Sequence, residues 1–321
     1  MHLLTGGTGY VGGRLLRRLE MDGLPVRCLC RNPEALGWRA APGTEVVQGD
    51  LLQPASLDAA FSGVDTAFYL VHSMRAGAAF EEQEHQSAAN FARAARAAGV
   101  RRIVYLGGLA HGGELSPHMR SRAETGNILR ASGVPVIEFQ ASIVIGSGSA
   151  SFEMIRGLVE RLPVMITPRW VNTAAQPIAI EDVIEYLAAA GRLPLDGNRI
   201  IEIGGSDITS YVGIMREFAR QRKLWRLILR VPFLSLSLSS RWLTLITPVY
   251  ASIGRCLIES VRTPSVVRNS TARDLFAVRP MGVVRAIERA LANEDRPAAE
   301  SRWSDARARA GLPSAAREPA R

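Results

Sequence analysis

The stretch Thr5-Gly6-Gly7-Thr8-Gly9-Tyr10-Val11-Gly12 stands between an apolar run at residues 2–5 and residues 10–21, which read as an amphipathic helix. A strand that ends in a glycine-rich turn and feeds directly into a helix opens a parallel α/β sheet. The alternation continues outward. Apolar runs at residues 26–30, 44–48, 67–71, 103–106 and 134–140 read as strands, and residues 54–61, 80–98 and 117–131 between them read as helices. This order predicts a doubly wound sheet, whose ligands lie beyond the carboxyl ends of the strands. Within 80–98, Ala88, Phe91, Ala92 and Ala95 recur at helical spacing and mark the face that meets the sheet, and Gly99 supplies the helix stop.

Beyond residue 150 the pattern loosens. A helix is expected at 151–161, a short strand feeding a helix within 176–183, and a strand at 198–203 that ends in Gly204-Gly205. The expected organisation is a sheet domain at 1–150, a smaller substrate-side C-terminal lobe at 151–296 interleaved with the sheet, and a disordered tail at 297–321 rich in Ala, Arg and Pro. A 321-residue chain with 47% hydrophobic residues excludes disorder as its main state. Of its 39 basic residues only Lys223 is a lysine. Residues 1–215 hold 19 basic against 21 acidic groups, whereas 216–296 hold 15 against 6, so the net charge of +9 is C-terminal in origin. An anionic membrane surface or a simply arginine-rich composition both account for that asymmetry. The basic region has no recognisable reader motif, so nucleic acid is not an expected partner.

Cys28, Cys30 and Cys256 form no disulfide framework and read as reduced and structural. The longest charge-free stretch is the 14 residues 139–152, short of the roughly 20 apolar residues a spanning helix needs. The glycine motif leaves no room ahead of it for a signal peptide, and a cytoplasmic protein, or one peripheral to the membrane, is expected.

In its strand-to-helix context each glycine has a purpose. Gly6 permits the tight turn, Gly9 lets the backbone approach a pyrophosphate, and Gly12 lets helix and strand pack closely. Helix amides at Tyr10, Val11 and Gly12, with Thr8 at the turn, would then face a dinucleotide. A chain preferring NAD would place an acidic residue after the second strand to hold the ribose hydroxyls, but this one has Arg31-Asn32-Pro33. A guanidinium suits a 2′-phosphate, so NADP(H) is expected over NAD(H).

The spacing of this motif resembles the short-chain dehydrogenase/reductase superfamily, specifically its extended and atypical members. Further likeness lies in residues 133–140, the run at 145–155, Ile201-Glu202-Ile203-Gly204-Gly205, Thr247-Pro248-Val249 and residues 257–260. These are similar to NmrA-like proteins, to the nucleotide-binding accessory subunit of respiratory complex I and to bacterial NAD-dependent epimerase/dehydratase-like proteins. The resemblance implies a Rossmann-like fold. It also implies cofactor contacts at Asp50 and Leu51 after the third strand and at Leu70, Val71 and His72 after the fourth.

Members of that superfamily typically carry a Tyr-x-x-x-Lys pair on the helix after strand five, where the lysine readies the tyrosine to pass a proton to a carbonyl oxygen. Here Ala219 stands four residues before the sole lysine, so the pair exists nowhere in the chain. His118 and Arg122 have the same spacing on that helix and are the candidate catalytic residues, His118 as a general acid titrating near neutral pH. The alternative reading is a pair of helix-surface residues in a protein without the usual chemistry. His72 is a further candidate, His111 is assigned nothing, and the scattered histidines give no metal signature.

Without the tyrosine, hydride transfer to a quinone or similarly activated small molecule is easier than to a ketone, because the product oxygen is a weaker base. The competing reading is a non-catalytic NADP(H)-sensing regulator or assembly protein. Leu227, Ile228, Leu229, Trp242, Leu243 and Leu245 read either as a membrane-facing surface or, as preferred here, as an ordinary cap core.

Overall fold

The computed structural model describes residues 1–293 other than 38, 73–77, 112–114 and 231–262. Strands β1 (His2–Thr5), β2 (Val26–Cys30), β3 (Glu45–Gln48), β4 (Thr66–Tyr69), β5 (Arg102–Gly108), β6 (Val136–Ala141) and β8 (Arg199–Ile203) form one sheet in the order β3-β2-β1-β4-β5-β6-β8. Every pairing in it is parallel, with Thr5 opposite both Leu29 and Tyr69. The order reverses direction between β1 and β4, which opens a crevice at the carboxyl ends of those two strands. This is the Rossmann-like doubly wound sheet that the alternation led one to expect.

Two apolar layers sandwich the sheet. On one face α1 (Tyr10–Met21) and α5 (Ile180–Ala190) bury Leu15, Leu16, Leu19, Val183 and Leu187 against Leu4, Phe68 and Phe139. On the other, α2 (Ala78–Ala97) and α3 (Pro117–Arg130) contribute Ala88, Phe91, Ala95 and Leu129, so the face read from the spacing in 80–98 is the buried one. The edge strand β8 and helix α5 both come from beyond residue 150, and a buried ion pair between Arg130 of α3 and Glu138 of β6 joins helix to sheet. Gly126 makes that pair possible, since a Cβ there would stand 2.4 Å from Glu138 Oε2.

A third core lies beneath α4 (Ala150–Arg161), α6 (Tyr211–Gln221) and α7 (Val283–Ala292), where Phe152, Ile155, Ile214, Phe218 and Ile287 meet. A small parallel ribbon of β7 (Val164–Thr167) and β9 (Leu227–Arg230) flanks it. The ribbon corrects the cap-core reading of the leucines. Ile228 packs on the third core, but Leu227 and Leu229 face outward, because strand side chains alternate between faces. Trp242, Leu243, Leu245, the stretches at 247–249 and 257–260, Cys256 and the tail at 297–321 lie outside the described residues. Residues 54–61 are a single turn, Pro54–Ser56, and a short helix, Asp58–Phe61, rather than one helix. No described helix is long and apolar enough to cross a membrane.

Candidate functional site

The glycine turn is built by close backbone approaches. Thr5, buried at the end of β1, donates from Oγ1 to the Phe68 carbonyl at 2.9 Å and accepts from the Leu70 amide at 3.4 Å, tying the ends of β1 and β4 together. Gly6 has φ +76°, and a Cβ there would stand 2.5 Å from the Leu70 carbonyl oxygen. A Cβ on Gly12 would come within 2.2 Å of the Gly6 carbonyl oxygen. Both are backbone atoms with nowhere to go, so only glycine fits. Gly9 begins α1, no side chain caps that helix, and its first turn has no acidic residue. First-turn amides without such a cap, beside a cradle that any Cβ would fill, fit the pyrophosphate of a dinucleotide.

The side chains of this turn are not equally placed. The Tyr10 ring lies under the Arg14 guanidinium, 4.9 Å from its centroid, and its hydroxyl is buried against Gly146, whose Cβ position is 2.4 Å away. Val11 packs against the first core. What Tyr10 and Val11 offer a ligand is therefore backbone, and Thr8 is half-buried at the tip. Arg31 is exposed just past β2, the strand next to β1, and its carbonyl accepts from Gln48 Nε2 at 3.2 Å. Asp50 accepts the Leu52 amide on Oδ1 at 3.0 Å, while Leu51 is buried in the second core and its carbonyl accepts from Asn90 Nδ2 at 2.7 Å.

The neighbouring strand ends, β4 and β5, hold the side chains with chemistry. Leu70, Val71 and His72 follow β4, with Val71 exposed. Ser116 caps α3 by accepting from the Met119 amide at 3.3 Å, and the first turns of that helix carry His118 and Arg122. His72 and His118 come together, their rings 4.7 Å apart between centroids and tilted by 56°. Nδ1 of His72 lies 3.1 Å from Oε1 of Glu84 on α2, and Ser121 Oγ donates to Oε2 of the same carboxylate at 2.5 Å. The Arg122 guanidinium donates to the Leu106 carbonyl, and the Tyr105 hydroxyl donates to the Arg122 carbonyl at 3.0 Å. Gly108 makes room for all of this, because a Cβ there would lie 2.6 Å from Met119 Cε and 3.5 Å from Arg122 Nε.

Electrostatics alters the role expected of His118. Burial first, then the neighbouring His72 and the Arg122 charge, push its pKa down to about 2, and Glu84 only partly opposes them. Burial and Arg122 likewise lower His72 against the pull of Glu84. Both imidazoles are neutral at pH 7, so His118 is not an acid titrating near neutrality; it is a neutral hydrogen-bonding group. With Glu84 accepting from Nδ1–H, His72 presents Nε2 as an acceptor. Burial also raises Tyr69 and Tyr105, and neither is placed to stand in for the missing acid.

Two residues here escape sequence reasoning: Glu84 and Ser121 are 37 positions apart and no local pattern links them. The same holds at the far side of the site, where His111 Nε2 lies 3.2 Å from Oε1 of Glu202 on β8. The segment 263–268 crosses there, with the Arg268 amide donating to Glu202 Oε2 at 2.6 Å, Ser265 Oγ 2.7 Å from Ser142 Oγ, and the Val267 amide donating to Gln176 Oε1 at 3.0 Å.

A family profile described as NAD(P)H-binding matches residues 6–134. Residues 6–134 therefore match an NAD(P)H-binding domain. A ceramide reductase of Caulobacter vibrioides is 29% identical over 234 residues, 71% of this chain and 73% of that one. Among solved structures, the triphenylmethane reductase of a Citrobacter species superposes with a TM-score of 0.73 at 18% identity, over 91% of this chain and 99% of its own. An NADPH-dependent quinone oxidoreductase of Escherichia coli, solved with NADPH, gives 0.72 at 20% identity over 90% and 99%. These two share the fold. An NAD(P)H-binding, Rossmann-like fold is thus supported for this chain by motif, sheet order and family profile together.

Proposed function

We propose that the chain is an NADPH-dependent reductase that passes hydride to an activated small-molecule acceptor of the quinone type. The observation that carries this reading is the neutral His118 ring, on the helix after β5 where the resemblance expects a tyrosine, packed 4.7 Å from the His72 ring. When bound, the nicotinamide supplies the hydride. His118, as a neutral imidazole, donates a hydrogen bond to the acceptor oxygen, and Glu84 holds His72 in one tautomer beside it. A hydrogen bond suffices for an oxygen whose reduced form has a pKa of about 10, as a phenol does, whereas a ketone's alkoxide needs a full proton donor. Reductases of quinones and dyes among the structural neighbours support the acceptor class, and the ceramide reductase supports a lipophilic one. Arg31 supports NADP(H) over NAD(H), and the basic, apolar C-terminal lobe supports peripheral contact with the membrane where such acceptors dissolve.

The test is NADPH oxidation by the purified chain across a panel of quinones, dyes and aldehydes. Turnover is expected with quinones first, and His118→Ala should lower kcat/KM by about a hundredfold, the cost of one oxyanion donor. A rate indistinguishable from buffer with every acceptor, despite NADPH binding, would make the protein a cofactor-sensing regulator instead.

A further inference from the structure

The ribbon formed by β7 and β9 is apolar on both faces. Its register sets Val164 opposite Leu227 and Ile166 opposite Leu229. Met165 and Ile228 point into the third core. The other face leaves Val164, Ile166, Leu227 and Leu229 exposed by 42, 54, 39 and 44%, and Trp225, two residues before β9, is 74% exposed. A surface ribbon ordinarily alternates apolar-in with polar-out, and contiguous exposed aliphatics of this kind mark an interaction surface.

The rim is cationic. Arg161 at the end of α4 and Arg222 and Lys223 at the end of α6 are exposed, with Glu160 taking up Arg222 at 3.4 Å. Lys223 is the one described non-glycine residue with positive φ, 56°, which sets it in the turn that delivers Trp225 to the ribbon. From β9 the chain runs on into residues 231–262, whose sequence has the charge-free runs 231–240 and 242–254 and three arginines against one glutamate. A second copy of the chain is a poor occupant, since a twofold interface would set these cations against one another.

We propose that the outer face of the β7–β9 ribbon, with Trp225 and the Lys223 rim, docks on an anionic lipid bilayer. Aliphatics enter the acyl boundary, Trp225 sits at headgroup depth and the cations meet lipid phosphate, the division of labour of an interfacial surface. This deepens the membrane contact in the reading above but stands without turnover, because docking is measured with neither cofactor nor acceptor present.

The experiment is co-sedimentation of the full-length chain with vesicles of phosphatidylcholine alone or mixed with phosphatidylglycerol, at low and high salt. Binding to the mixed vesicles, weakened by salt, is expected, with Trp225 fluorescence quenched by brominated lipid and the quenching lost in Trp225→Phe. Ile166→Thr with Leu229→Thr keeps strand-forming residues, and Trp225→Ala alters a fully surface position; each should lower the vesicle partition coefficient at least tenfold with an unchanged circular dichroism spectrum. The proposal is overturned if the wild type stays in solution with both vesicles. It is equally overturned if the variants bind as the wild type does, or if Trp225 is shielded from the brominated lipid, as it would be were residues 231–262 to cover the face.

Discussion

Two strand ends in this sheet carry paired glycines, and the pairs are glycine for different reasons. At Gly6 and Gly12 a Cβ would meet backbone, the carbonyl oxygens of Leu70 and Gly6. At Gly107 and Gly108 it would meet side-chain ends, Glu138 Oε1 at 3.0 Å and Met119 Cε at 2.6 Å. Backbone cannot yield without breaking the turn, whereas a thioether end swings aside at small cost. The cofactor end of the crevice is therefore set by the main chain and has one solution, while the reacting end is set by replaceable side chains. A fold that keeps its cofactor and exchanges its chemistry would be built in this way.

The sharpest way to break the comparison is Gly12→Ala. Overpacking against an immovable carbonyl costs about 1–3 kcal/mol, so NADPH affinity measured by fluorescence titration should drop by about ten- to a hundredfold. Unchanged affinity would mean that the turn is as forgiving as the other. Next comes Arg31→Glu, which removes a charge-assisted contact worth about 1.5–3 kcal/mol to a 2′-phosphate. NADPH should bind at least tenfold more weakly and NADH about as before; equal losses for both cofactors would take Arg31 out of the selectivity.

Acid should act at the reacting end. The folded-state pKa of His118 is depressed to about 2, below its ordinary 6.5, so the unfolded chain binds the extra proton first. The stability from the neutral imidazole is fully present above about pH 6.5 and drains away as pH falls below it, by up to about 1.4 kcal/mol per unit. Thermal melts at pH 7 and 5.5 should show a drop that His118→Asn reduces. Gly108→Ala should cost less than about 1 kcal/mol and leave NADPH affinity intact while shifting kcat, since its Cβ displaces only Met119. Smallest of all, Lys223→Gly relieves a left-handed backbone and should raise the melting temperature by a degree or two, a net gain of a few tenths of a kcal/mol.

Much of the sheet is legible in the sequence because most of its strands are short buried runs with a glycine or proline close by, and β1, β2 and α1 begin and end at the residues expected. The helix at Tyr211–Gln221 carries equally local signals, with Ser210 as cap and Val212, Met215, Phe218 and Ala219 on one face, but they sit where the wider alternation has loosened. The β7–β9 ribbon was not readable: its strands pair across some 60 residues and its apolar alternation shows on both faces. At the site, the glycine turn is local and announces itself. His118 is visible as a residue but not as a neutral one, because its titration follows from burial and from His72, which the fold brings over from another strand.

The segment at 263–268 and strand β9 are fastened to the body separately. The segment is pinned by Glu202, Ser142 and Gln176, and β9 is pinned by β7, through bonds that do not involve the 32 residues between them. The two described ends are thus each held by bonds of their own. A substitution that loosens one of these ends leaves the bonds that hold the other in place.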